Sequence, residues 1–164
     1  MNYYPLYEGH EDQFQIALAT YLDSLGVLWF HVANERKTNV RQARNGSFYS
    51  PAGNKLKAKG VKPGVPDVWI IVPQGEYPGL ILELKTKSNK VTPEQGAWLD
   101  SLNTCGYLAL ATWSLDQAID LISAYLNDQH VMLESIAHTR YINSKKNIYE
   151  LDDGKIKMVK KSEL

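Results

Sequence analysis

With 164 residues, 44% of them hydrophobic, and 18 acidic side chains balancing 18 basic ones, the chain has the size and apolar content of one domain with a single core; its zero net charge argues neither for nor against a polyanionic partner. The single cysteine, Cys105, excludes an intrachain disulfide and a thiolate zinc cluster, so any metal should be a hard one held by oxygen. No run is apolar enough to span a bilayer, and MNYYPLYEGH lacks the basic and apolar regions of a signal peptide, so a cytoplasmic protein with no membrane partner is expected.

The stretch HEDQFQIALATYLDSLG reads as a helix, because Phe14, Leu18, Leu22 and Leu25 recur at spacings of four and three and Gly26 can stop it. VLWFHVAN then reads as a short strand. From residue 34 to 60 the chain is a Gly- and Asn-containing connection, with a helical turn over NKLKAKG. Between Glu35 and Lys62 the bases Arg36, Lys37, Arg41, Arg44, Lys55, Lys57, Lys59 and Lys62 face Glu35 alone. That local basic surface suits phosphate contacts, although a solvated loop would look the same.

DVWIIV and LILELKT are strands joined by PQGEYPG, whose Pro and Gly residues suit a hairpin loop. TPEQGAWLDSLNTCG is a helix with Thr92 as N-cap, Pro93 at its first position and Gln95 closing a capping box. YLALAT is a strand. SLDQAIDLISAYLND is a helix with Ser114 and Gln117 in the same capping arrangement. Beyond His130 the pattern weakens, apart from a hairpin in NIYELDDGKIKMV turning at Asp153-Gly154.

Charges inside the first hairpin pose the functional question, since a buried ion needs a partner. A loop centred near residue 76 makes cross-strand partners sum to about 152, within two, which sets Asp67 opposite Glu83 to Lys85. Glu83 and Lys85 project to one side, about 7 Å apart along the strand, and Asp67 can join them there. Two readings stay open on spacing alone. A partly buried salt-bridge network would leave one negative charge uncompensated, whereas a divalent cation such as Mg²⁺ would absorb it. Glu11 begins the stripe that buries Phe14 and Leu18, and Gln15 follows one turn later, so this end of the helix is expected to face the charges. An acid there is also favoured by the helix dipole alone.

GVPD followed by ELK resembles the signature of the PD-(D/E)XK nuclease superfamily. Taken in order, HEDQFQ, FHVANERK, LKAKGVKPGVPDVWI, LELKTK and TPEQGAWLDSL are similar to its VRR-NUC branch, and the small stand-alone phage and bacterial members are the nearest match. The resemblance covers residues 11 to about 126. It implies an α/β, restriction-endonuclease-like core with a mixed central sheet flanked by helices, a nuclease domain over 1–128 and a C-terminal extension over 129–164. That extension is expected to be a hairpin packed on the core or on a dimer interface.

The same resemblance makes Asp67 and Glu83 metal-binding carboxylates, with the Leu84 carbonyl as a further ligand and Glu11 as the acid of the first helix. Lys85 becomes the catalytic lysine and Gln95 the glutamine opening the next helix, a residue the capping box explains equally well. His31 and Asn34 become candidate DNA contacts beside Arg36, Lys37, Arg41, Lys59 and Lys62, although a histidine in a strand is more often a hydrogen-bonded core residue. The implied protein is an endonuclease using Mg²⁺, with Mn²⁺ as a substitute, on branched DNA such as four-way junctions, acting as a homodimer. A binding module that lost catalysis and a restriction-type or defence nuclease are the alternatives. GVKPG is followed by no G-K-[ST], so no nucleotide cofactor is expected, and its glycines are expected to let the backbone approach a phosphate.

Overall fold

The computed structural model describes residues 3–33, 41–42, 48–87, 89–137, 140–142, 146–152 and 155–159. Asn34, Arg36, Lys37, Arg44 and the Asp153-Gly154 turn lie outside them, as does the side chain of Arg41.

In chain order the elements are β1 (Tyr3–Pro5), α1 (Glu11–Leu25), β2 (Trp29–His31), β3 (Arg41–Gln42), β4 (Phe48–Tyr49), α2 (Pro51–Ala58), β5 (Val68–Ile70), β6 (Leu80–Leu84), α3 (Pro93–Thr104), β7 (Leu108–Thr112), α4 (Leu115–Leu126), α5 (His130–Ala137), β8 (Arg140–Ile142), β9 (Ile148–Asp152) and β10 (Lys155–Met158). The central sheet runs β2-β5-β6-β7 and is mixed: β5 is antiparallel to β2 and β6, while β7 is parallel to β6. The parallel step needs a crossover, which α3 supplies. None of the described helices is long and apolar enough to cross a membrane.

Strand β6 is buried along its whole length, which explains why LILEL lacks the alternation of a half-exposed strand. Leu80, Leu82 and Leu84 join Phe14, Leu18 and Leu22 of α1 and Leu121, Ile122 and Tyr125 of α4 in the main core. On the other face Ile81 packs with Leu102 of α3 and Ala109 of β7, against Trp69, Trp98, Leu99 and Tyr107. Alternation puts Glu83 on this second face, the side that α3 covers.

The expected C-terminal hairpin is present: β10 pairs antiparallel with β9, Lys155 opposite Asp152. It belongs to a second sheet, β1-β8-β9-β10, in which β1 runs parallel to β8 and pairs Tyr4 with Tyr141. Leu133, Ile136 and Tyr141 lie in the same buried cluster as Phe14 and Leu82. At α4 the expected capping arrangement forms by half. Ser114 Oγ accepts from the Gln117 N–H, but the Gln117 side chain turns into the core. Its Oε1 accepts from Thr112 Oγ1 and from the Tyr141 hydroxyl, and its Nε2 donates to the Ile136 carbonyl. The Ser114 N–H that the Gln117 side chain would have accepted donates to Thr112 Oγ1 instead, at 3.3 Å.

Candidate active site

The hairpin forms in the expected manner, at the lower edge of the anticipated register. Val68 pairs with Leu82, Trp69 with Ile81 and Ile70 with Leu80, which places Asp67 across from Glu83. The loop closes where Gln74 and Tyr77 exchange backbone hydrogen bonds.

Asp67, Glu83 and Lys85 are all buried, at 8%, 1% and 8% exposure. Asp67 Oδ2 accepts the Leu84 N–H at 2.8 Å, so the carboxylate is tied to the second strand by main chain. Its own carbonyl accepts from Val32 N at 2.9 Å and contacts His31 Nδ1 at 2.8 Å. A carbonyl can only accept, so His31 carries its proton on Nδ1 and turns Nε2 away from Asp67. His31 is exposed, unlike a core histidine.

Lys85 Nζ lies 2.8 Å from Glu83 Oε1 and donates to Gln95 Oε1 at 2.9 Å. Gln95 is both a cap and a bridge. Its Oε1 accepts the Thr92 N–H at 2.9 Å, completing the capping box, while its Nε2 donates to Glu83 Oε1. The two explanations of Gln95 are therefore compatible, because one amide oxygen accepts two donors.

Within the trio of Asp67, Glu83 and Lys85, two carboxylates accompany one ammonium. Glu83 Oε2 is buried with no hydrogen-bond partner among the described residues. Burial, and after it the Asp67 carboxylate, pushes the Glu83 carboxyl up to about 7, against the opposing pull of Lys85. Glu11, exposed at the start of α1, feels the same field: burial first and Asp67 next raise its carboxyl, and Lys85 lowers it. Gln15 Nε2, one turn further along α1, is also buried without a partner among the described residues.

These residues fit a small hard cation. No three His, Cys, Asp or Glu side chains converge on one point among the described residues. Mg²⁺ is commonly held by one or two carboxylates and completes its shell with water. A desolvated carboxylate oxygen with nothing to accept from is the donor such an ion requires.

Of the predicted DNA-binding bases, the side chains of Lys59 and Lys62 are described. Lys59 caps the C-terminus of α2, a helix with no buried residue, and Lys62 is exposed in the following loop. At Gly64 of GVKPG, expected to let the backbone approach a phosphate, the structure supplies a different reason for glycine. Its φ is +74°, and an added Cβ would lie 2.7 Å from the Glu94 carbonyl carbon and 2.8 Å from Gln95 N. The neighbour that requires glycine there is the first turn of α3. Sequence reasoning missed that contact, since no local pattern links a loop glycine to a distant helix.

A family model of the VRR-NUC domain matches residues 10–112, well over half of the chain. The chain belongs to the VRR-NUC family. A solved structure described as a VRR_NUC domain protein is similar, at 25% identity and a TM-score of 0.52, over 73% of this chain and 90% of that one. No match is found among curated proteins. The VRR-NUC match takes in Glu11, Asp67, Glu83, Lys85 and Gln95, and it ends at the last residue of β7. VRR-NUC membership makes this a nuclease-family chain with DNA as the implied substrate. The segments beyond β7 complete its core from outside the matched region.

Proposed function

We propose that the protein is a Mg²⁺-dependent endodeoxyribonuclease, with Mn²⁺ as a substitute, that prefers branched DNA such as four-way junctions and acts as a homodimer. The observation that carries the metal-dependent reading is the buried Oε2 of Glu83, unpartnered among the described residues, beside a second buried carboxylate and a lysine. Junction preference and dimerisation rest on similarity to stand-alone VRR-NUC nucleases, and paired symmetric cuts need a two-fold assembly.

In this reading Asp67, Glu83 and the Leu84 carbonyl hold the ion, and Glu11 takes a second ion or an outer-shell water. The bound ion would supply charge neutralisation at the scissile phosphate and a more acidic water. Lys85, held by Glu83 and Gln95, orients the attacking water and offsets the charge that builds on the phosphate oxygens. Gln95 keeps the ammonium in place. His31 and Asn34, with the bases Arg36, Lys37, Arg41, Lys59 and Lys62, bind the sugar-phosphate backbone and register the substrate. Residues 1–128 form the nuclease domain, and 129–164 extend it.

The test is cleavage of a labelled four-way junction, flap, linear duplex and single strand in Mg²⁺, Mn²⁺ or EDTA. Cutting with either metal and none in EDTA is expected, with the junction cut fastest. A protein that binds all four DNAs and cuts none with either metal is a binding module instead. Fastest cutting of linear duplex would point to a restriction-type role.

A further inference from the structure

We propose that Trp98 is a positioning residue for the catalytic face: through its indole N–H, helix α3 holds the loop that delivers Asp67 in register with the Glu83 and Lys85 pair, which the same helix holds through Gln95. The inference rests on the nuclease reading above and adds to it the part that sets the distance between the two carboxylates.

Gln95 and Trp98 are three residues apart, so they leave α3 as neighbours on its surface. Gln95 reaches Glu83 and Lys85. Trp98 Nε1 donates to the Pro63 carbonyl at 2.9 Å. Between these ties Gly64 lies directly against the Glu94–Gln95 backbone, closer than any side chain would allow. The loop thus meets the helix at consecutive residues, once by hydrogen bond and once by contact.

The segment from Pro63 to Asp67 is short and stiff. Two of its residues are prolines, with φ fixed by their rings. A third tie, from Trp69 Nε1 to the Pro66 carbonyl at 3.0 Å, holds the residue just before Asp67. A shift at Pro63 is therefore passed to the Asp67 carboxylate with little slack. Asp67 and Glu83 sit on different strands, and sharing one ion demands placement within about 0.5 Å. Helix α3 grips both sides of that gap.

Trp98 also packs in the cluster of Ile81, Leu102 and Ala109, so Trp98→Phe keeps most of the ring contact and removes the donor. Trp29→Phe is the control: it too loses an indole hydrogen bond, 2.9 Å to Asp23 Oδ1, at the C-terminal end of α1. Four quantities are compared with wild type: Mn²⁺ affinity by calorimetry, kcat on the preferred DNA, DNA affinity in EDTA, and the thermal midpoint without metal. For Trp98→Phe, Mn²⁺ affinity and kcat are each expected to fall about tenfold, the scale of losing an outer-shell tie. DNA affinity in EDTA should not change, and the midpoint should stay within about 4 °C. Trp29→Phe should match wild type in Mn²⁺ affinity and kcat.

A folded Trp98→Phe protein with wild-type Mn²⁺ affinity and kcat overturns the proposal, as do equal losses in both variants. If Trp98→Phe does not fold, amide exchange in the wild type decides. Residues 61–67 and the first two turns of α3 should open together, and independent opening overturns the clamp. A wild type that binds no Mn²⁺ and cuts no DNA removes the nuclease reading itself, and the exchange result then judges the clamp alone.

Discussion

Asp67→Asn is expected to lower cleavage by at least about 10²-fold, the scale of losing one electrostatic contact at a reacting phosphate, while the protein stays folded. The amide oxygen of asparagine can still accept the Leu84 N–H that now binds Asp67 Oδ2, so that main-chain donor keeps its acceptor. The charge is what disappears. Asp67 is the second-largest cause of the raised Glu83 carboxyl, so the substitution also lets Glu83 ionise more easily.

A pH dependence accompanies this. Glu83 moves from its ordinary 4.5 to about 7 in the folded protein, so the native state holds a proton that the unfolded chain releases. Without metal, stability is therefore highest below pH 4.5 and falls as pH rises through 7, by on the order of 3 kcal/mol for this group. Glu11, also raised, acts in the same direction. A cation bound to the ionised pair reverses the penalty. The thermal midpoint of the metal-free wild type should fall between pH 5 and pH 8, and Mg²⁺ should raise it more at pH 8. Asp67→Asn should show a flatter profile and almost no Mg²⁺ shift. Wild-type cleavage by this variant would remove Asp67 from the mechanism.

Truncation after Asp128 is expected to abolish cooperative folding. It removes Leu133, Ile136 and Tyr141, which are 6%, 3% and 2% exposed within the main core. Burial of each is worth about 1.5–3 kcal/mol. Together they approach the whole stability of an ordinary domain, about 5–15 kcal/mol. The cut also leaves Gln117 facing the vacated positions of Tyr141 and Ile136, and it removes the partner of β1. Circular dichroism on heating and hydrodynamic size should both report a loosely folded chain. A sharp unfolding transition with an unchanged monomer core would contradict this.

The resolved hairpin and the α3 cap were legible in sequence because their determinants are local. Glu83 and Lys85 share a face because strand periodicity requires it, and Thr92, Pro93 and Gln95 spell a helix start in consecutive residues. The elements that went unread lack such local support. Strand β1 is three residues long and pairs with β8 from the other end of the chain, while α5 and β8 owe their burial to contacts with α4 and β1. Paired strands β3 and β4 are two residues each, too short for any periodicity.

Which charges share the hairpin and where the main helices begin were readable along the chain, because backbone geometry repeats every two or 3.6 residues. It took the packed fold to show that Gln95 bridges Lys85 and Glu83, that Gly64 must meet α3, and that one oxygen of Glu83 is left unpartnered among the described residues. Those facts depend on where separately encoded elements come to rest against one another, and packing at contact distance is set by the whole core rather than by any one segment.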